Sequence, residues 1–135
     1  MVGLDTNVFV RLLYDDQNAP DQVVAARSLE KRIIECNSRF YLTSTVLCET
    51  VWVMTHGYGI SNHEMTEQLH QLLLNPYYIF ENPKRIEVTL KAVKMHHVDF
   101  TDAFIAADGE DANCRMTYTF DKKASKHPAF TLLKT

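Results

Sequence analysis

A chain of 135 residues, 46% hydrophobic and 23% charged, is long enough to bury a core without disulfide or metal staples, and it has the balance of an ordinary globular domain. No apolar run approaches the roughly 18 residues that cross a bilayer, and no basic segment with a following apolar run and small-residue cleavage site opens the chain, so a cytoplasmic protein is expected. The net charge of −3 speaks against a uniformly basic nucleic-acid-binding surface, though not against a divided one.

Taken in chain order, short β-like runs fall at residues 2–4, 40–43, 77–80, 117–120 and 130–133, with stretches of helical periodicity between them. Val8, Leu12 and Leu13 share one helical face. Asp21 is placed to cap a second helix running to about Cys36, with Val24, Leu29, Ile33 and Ile34 on its inner side. A third helix should follow Thr43 and Ser44, carrying Val46, Leu47, Val51, Trp52 and Met54 as far as the Gly57-Tyr58-Gly59 break. Ser61 precedes Glu64 by capping-box spacing and opens a fourth helix to about Leu74. Pro83 begins the next, ending near His97, and a last helix starts around Thr101. Strands alternating with helices predict an α/β domain with a mostly parallel sheet, occupying residues 1–135 as a single unit.

The three cysteines, Cys36, Cys48 and Cys114, form no CxxC and are expected to be buried free thiols, in keeping with a reducing compartment. The six histidines lack a zinc-binding spacing. Charge is unevenly distributed. Residues 40–83 contain no Lys or Arg, whereas residues 112–135 carry Arg115, Lys122, Lys123, Lys126 and Lys134 against Asp121 alone, a local balance of +4. Such a tail serves solubility, or it forms a basic rim suited to phosphate backbones.

Four carboxylates stand where apolar runs end or helices begin: Asp5 in Leu4-Asp5-Thr6-Asn7, Glu49 in Leu47-Cys48-Glu49-Thr50, Asp102 in Phe100-Thr101-Asp102-Ala103, and Asp121 in Thr119-Phe120-Asp121-Lys122. In a parallel sheet, ligands bind outside the carboxyl ends of the strands. Acids gathered there repel one another unless a cation neutralises them, which is the basis of hard oxygen-ligand metal sites. Asp99, three residues before Asp102, is expected to cap the last helix and to stand outside the site set, with a helical face shared with Asp102 as the alternative. Thr6 and Asn7 are suited to local hydrogen bonds that start the first helix. Trp52, Met54, Tyr77 and Tyr78 are expected to pack in the core or an interface.

These four blocks, in this order, resemble the PIN-domain ribonucleases, and within them the VapC-type toxins of bacterial toxin–antitoxin pairs. The resemblance implies a three-layer α/β/α domain with a five-stranded sheet in the order 3-2-1-4-5, and a divalent metal, Mg²⁺ or Mn²⁺, among the acids. Asp5, Glu49, Asp102 and Asp121 fall on the family's acidic positions. Asp5 and Asp102 are the leading metal ligands, Asp121 and Glu49 complete the metal set, and Glu49 is expected either to hold a metal-bound water or to assist deprotonation of the nucleophile. Asn7 matches the polar residue of the first motif and Thr119 the hydroxyl residue before the last acid. Arg115, Lys122, Lys123 and Lys126 are candidates for drawing in RNA. The resemblance further implies a homodimer and a cognate antitoxin, for which residues 51–80 are a source of interface surface. Two other readings are a PIN-like module that binds RNA or protein without cutting, and a Mg²⁺-dependent phosphoacceptor receiver domain.

Overall fold

Short apolar runs and local turn residues set the elements of the chain, which the computed structural model describes throughout, Met1–Thr135. It divides into two compact units, Met1–Glu81 and Asn82–Thr135.

The first unit opens with strand β1 (Val2–Gly3) and helix α1 (Thr6–Leu13), joined at Asp5, whose extended backbone and side-chain oxygen make it the N-cap. Helix α2 spans Pro20–Glu35. Its cap position is Ala19, with Pro20 in the first turn, so Asp21 is a first-turn acid and not the cap expected of it. Proline suits that place because its missing N–H has no partner there in any case. The inner face also differs from expectation: Val23 and Ala26 are buried, whereas Val24 is 66% exposed and Ile34 is exposed as well. The mixed hydrophobicity of this helix supports more than one inner face.

Strand β2 (Phe40–Leu42) leads into α3 (Ser44–Trp52), capped by Thr43, whose hydroxyl accepts from Val46 N at 3.1 Å. One π-type turn, Val53–Gly57, follows, with Tyr58 N donating to Val53 O at 3.2 Å. Leu47, Thr50, Val51 and Met54 are buried at ordinary helical spacing, which leaves Trp52 56% exposed, so the expected packing of Trp52 in the core is not seen. Helix α4 (Asn62–Leu74) begins at Ser61, whose Oγ accepts from Glu64 N at 3.1 Å. Strand β3 (Tyr78–Phe80) completes a parallel sheet in which β2 lies between β1 and β3, with Phe40 opposite Tyr78. Phe9 and Phe40 flank the Tyr78 ring at 6.2 and 5.3 Å, and the Tyr78 hydroxyl donates to Glu30 at 2.6 Å. Burial and that bond raise the Tyr78 pKa well above the usual phenol range.

The second unit contains α5 (Pro83–His96), α6 (Phe100–Asp111), β4 (Thr117–Thr119), a 3₁₀ turn (Ala124–Lys126) and β5 (Phe130–Leu132). Asn82 caps α5 through Arg85 N at 3.0 Å, and His97 ends it in the left-handed region at φ 56°. Strands β4 and β5 pair in parallel, Tyr118 opposite Thr131. Gly109 of α6 lies against this pair: a Cβ there would stand 3.0 Å from Thr117 Oγ1. The five strands therefore form two parallel sheets, of three and two strands, where one sheet was expected. No helix is long and apolar enough to cross a membrane. Cys36 and Cys114 are free thiols as expected, but both are exposed and Cys48 is half-buried, so the expected burial of the three is not seen.

Candidate functional site

In the first unit, Asp5 ends the loop after β1 and holds the start of α1. Its Oδ1 accepts from Thr6 N at 2.8 Å, and its exposed position leaves the second oxygen open. A carboxylate at a helix N-terminus is favoured by the positive end of the helix dipole. The local bonds expected of Thr6 and Asn7 are not made. The Thr6 hydroxyl is buried without a partner, and Asn7 instead lines a cavity of about 390 Å³ between α1 and α2 with Arg11, Gln22 and Arg32. Glu49 projects from α3 into solvent with no hydrogen bond or ion pair. The start of α3 is also held by Glu81 at the end of β3, whose Oε1 accepts from Ser44 N at 3.0 Å.

In the second unit, Asp99, Asp102 and Asp121 share one electrostatic neighbourhood. Asp99 occupies the N-cap position of α6 but makes no capping bond. Its carboxylate takes the Lys123 ammonium at 2.8 Å instead. The capping bond expected of Asp99 is therefore not made, because the fold brings the Lys123 ammonium to its carboxylate, and the three-residue step to Asp102 signalled only a common face. Asp102, in the first turn of α6, has its pKa raised by partial burial first, then by the charges of Asp99 and Asp121, with Lys123 opposing. Its own side chain has no hydrogen-bond partner.

Asp121 is held by a local turn. Its N–H donates to Thr119 Oγ1 at 3.0 Å, while its Oδ1 accepts from Lys123 N at 2.8 Å and Ala124 N at 3.4 Å. Thr119 thus orients the backbone that carries Asp121. Lys123, expected to meet RNA, is committed to Asp99, and that bond raises its pKa. Arg115, Lys122 and Lys126 are exposed and make no side-chain ion pair or side-chain hydrogen bond.

No group of three or more His, Cys, Asp or Glu side chains has the spacing to hold a metal ion as it stands. The chemistry of the donors does fit one. All are carboxylates, the hard oxygen ligands that Mg²⁺ takes, and the crowding of negative charge on Asp102 is of the kind a cation relieves.

Parallel strands with acids at their carboxyl ends define a class of α/β domain built to act at a strand-end crevice. The family model of the PIN domain matches residues 2–129, and the chain belongs to that family. PIN domains are typically metal-dependent nucleases that bind Mg²⁺. No curated protein matches the chain.

Proposed function

We propose that this chain is a divalent-metal-dependent endoribonuclease, and that it acts as the VapC-type toxin of a toxin–antitoxin pair in the cytoplasm. The observation that carries the nuclease reading is the Asp102 carboxylate, crowded by Asp99 and Asp121 within a PIN domain. The same reading takes residues 1–135 as one domain with strand order 3-2-1-4-5. It makes the chain a homodimer whose cognate antitoxin blocks the site.

Asp5, Asp102 and Asp121 are assigned as the residues that hold Mg²⁺ or Mn²⁺, with Glu49 beside them. Bound there, the ion supplies polarisation of a phosphoryl oxygen and a more acidic water. The protein supplies position. Asp5 and Asp121 each commit one oxygen to backbone N–H groups, at 2.8 Å in both cases, so that their other oxygens are pre-aimed. Unpartnered Glu49 is free to take the proton from the attacking water. Thr119 fixes Asp121 from behind, and Asn7 is assigned to orient solvent near Asp5.

Asp5→Asn keeps the size of the side chain and removes its charge. Loss of outer-shell partners alone costs metal sites about 10- to 100-fold, so RNA cleavage should fall at least about 100-fold in this variant and vanish with EDTA. Cleavage that survives Asp5→Asn undiminished overturns the mechanism. One observation favours the second reading, a PIN module that binds without cutting: the acids do not form a closed ion cage as they stand. Under that reading no Mg²⁺-dependent cleavage is seen at all. The receiver-domain alternative gives way to membership of the PIN family. A gene immediately upstream encoding a small DNA-binding protein that silences the cleavage decides the toxin assignment.

A further inference from the structure

The small β4–β5 sheet has two unlike faces. One is covered: Thr117 meets α6 at Gly109, and its register partner Phe130 packs with Ala106 and Ala124. The other is open. Two-residue alternation carries Tyr118 and its register partner Thr131 to this side, the 3.4 Å contact between Thr131 Oγ1 and Met116 Sδ places Met116 beside them, and Phe120 follows in the bend just after β4. Tyr118 is 60% exposed and Phe120 68% exposed, and neither ring has an aromatic, cationic or hydrogen-bonding partner. Parallel sheets normally have both faces covered, so two bare aromatic rings two residues apart call for an occupant.

Charge selects among occupants. Arg115 and Lys122 flank the two rings in sequence, Lys126 and Lys134 belong to the same segment, and all four cations are exposed and unpaired. A second copy seated on this face by two-fold symmetry would bring the +4 segments of both chains together, and lysines are depleted from the centres of protein interfaces. A single-stranded polyanion with flat bases answers both features: phosphates meet the cations while bases stack on the rings. We infer that the open face of β4–β5 is a single-stranded RNA platform, with Tyr118 and Phe120 as base-stacking residues and Arg115 and Lys122 as phosphate contacts. This rests on the ribonuclease reading and adds how the substrate is held and presented. Stacking on any base is sequence-tolerant, so this surface provides grip, and the choice of cleavage site lies elsewhere.

The test uses the full chain in EDTA, so that nothing is cut, with fluorescein-labelled 12-nucleotide single-stranded RNA and an abasic RNA of equal length and charge. The unmutated chain should bind the intact RNA more tightly. Tyr118→Ala with Phe120→Ala should weaken intact RNA at least about 10-fold and leave the abasic RNA unchanged, while Tyr118→Phe should retain full affinity. In a readout free of mutation, 4-thiouridine RNA photocrosslinked to the native chain should attach within residues 115–122. The inference is overturned if the double variant still favours intact over abasic RNA, if it weakens both equally, or if it only converts a dimer to a monomer. Those outcomes leave the nuclease standing wherever cleavage in Mg²⁺ remains dependent on Asp5. A native chain that neither binds nor cuts RNA overturns both.

Discussion

Asp102 shows how a single side chain acquires its character from neighbours far away in sequence. As a first-turn acid it sits where the helix dipole favours negative charge, yet burial, Asp99 and Asp121 together raise its pKa. The spacing of Asp99 and Asp102 was readable in the sequence. That Lys123 would turn to Asp99 was not, because the 24-residue separation is closed only by folding. Caps were legible only in part, since Ser61 makes its local bond whereas Asp21 and Asp99 make none. Ser61 performs as expected, accepting from Glu64 N at 3.1 Å, and Thr43, whose position marked only where α3 should start, accepts from Val46 N at the same distance. Thr43→Ala should destabilise the protein by about 1 kcal/mol, seen as a lower urea midpoint at unchanged slope. An unchanged midpoint would show that Glu81 alone suffices to hold the start of α3.

At the scale of elements, helix and strand positions followed the apolar pattern closely, while helix faces did not. The α2 periodicity supported more than one inner face, and the structure buries Val23 and Ala26 and leaves Val24 and Ile34 exposed. Trp52 likewise lies outside the face buried through Leu47, Val51 and Met54, and it is stacked on His56 at 5.0 Å. Gly109 records a tertiary constraint of this kind. Glycine weakens a helix by roughly 1 kcal/mol relative to alanine, and its value here is the close approach of α6 to Thr117. Gly109→Val, with three carbons driven toward that hydroxyl, should cost about 1–3 kcal/mol in urea denaturation. A variant as stable as the parent would show that α6 and β4 can separate without penalty.

For the molecule as a whole, pH is a lever on stability through His127. This side chain is buried with its ring 5.0 Å from His96 and 6.0 Å from Phe130, and its Nδ1 accepts from Ala129 N at 3.0 Å. Burial first and the His96 charge second lower its pKa, with Glu110 opposing. The unfolded chain therefore takes up this proton more readily than the folded one. The stabilisation is complete above about pH 6.5 and is lost as pH falls from there through the lower folded value. Urea midpoints should fall between pH 7.5 and 5.5, and His127→Gln, which keeps an acceptor but cannot titrate, should flatten that decline. An equally steep decline in the variant would assign the effect to other groups.

The sequence by itself determined the order of the elements, the Ser61 cap of α4, the acids at the element ends, the basic C-terminal segment and the family. Each depends on short-range periodicity, on backbone bonds made within a few residues, or on motifs kept in order. Tertiary structure decided which helix faces are inside, the division of the strands into two sheets, the exposure of Cys36 and Cys114, the tie of Lys123 to Asp99, and the bare rings of Tyr118 and Phe120. These are outcomes of packing and of charges brought close by the fold, and neither is encoded within any one stretch of chain.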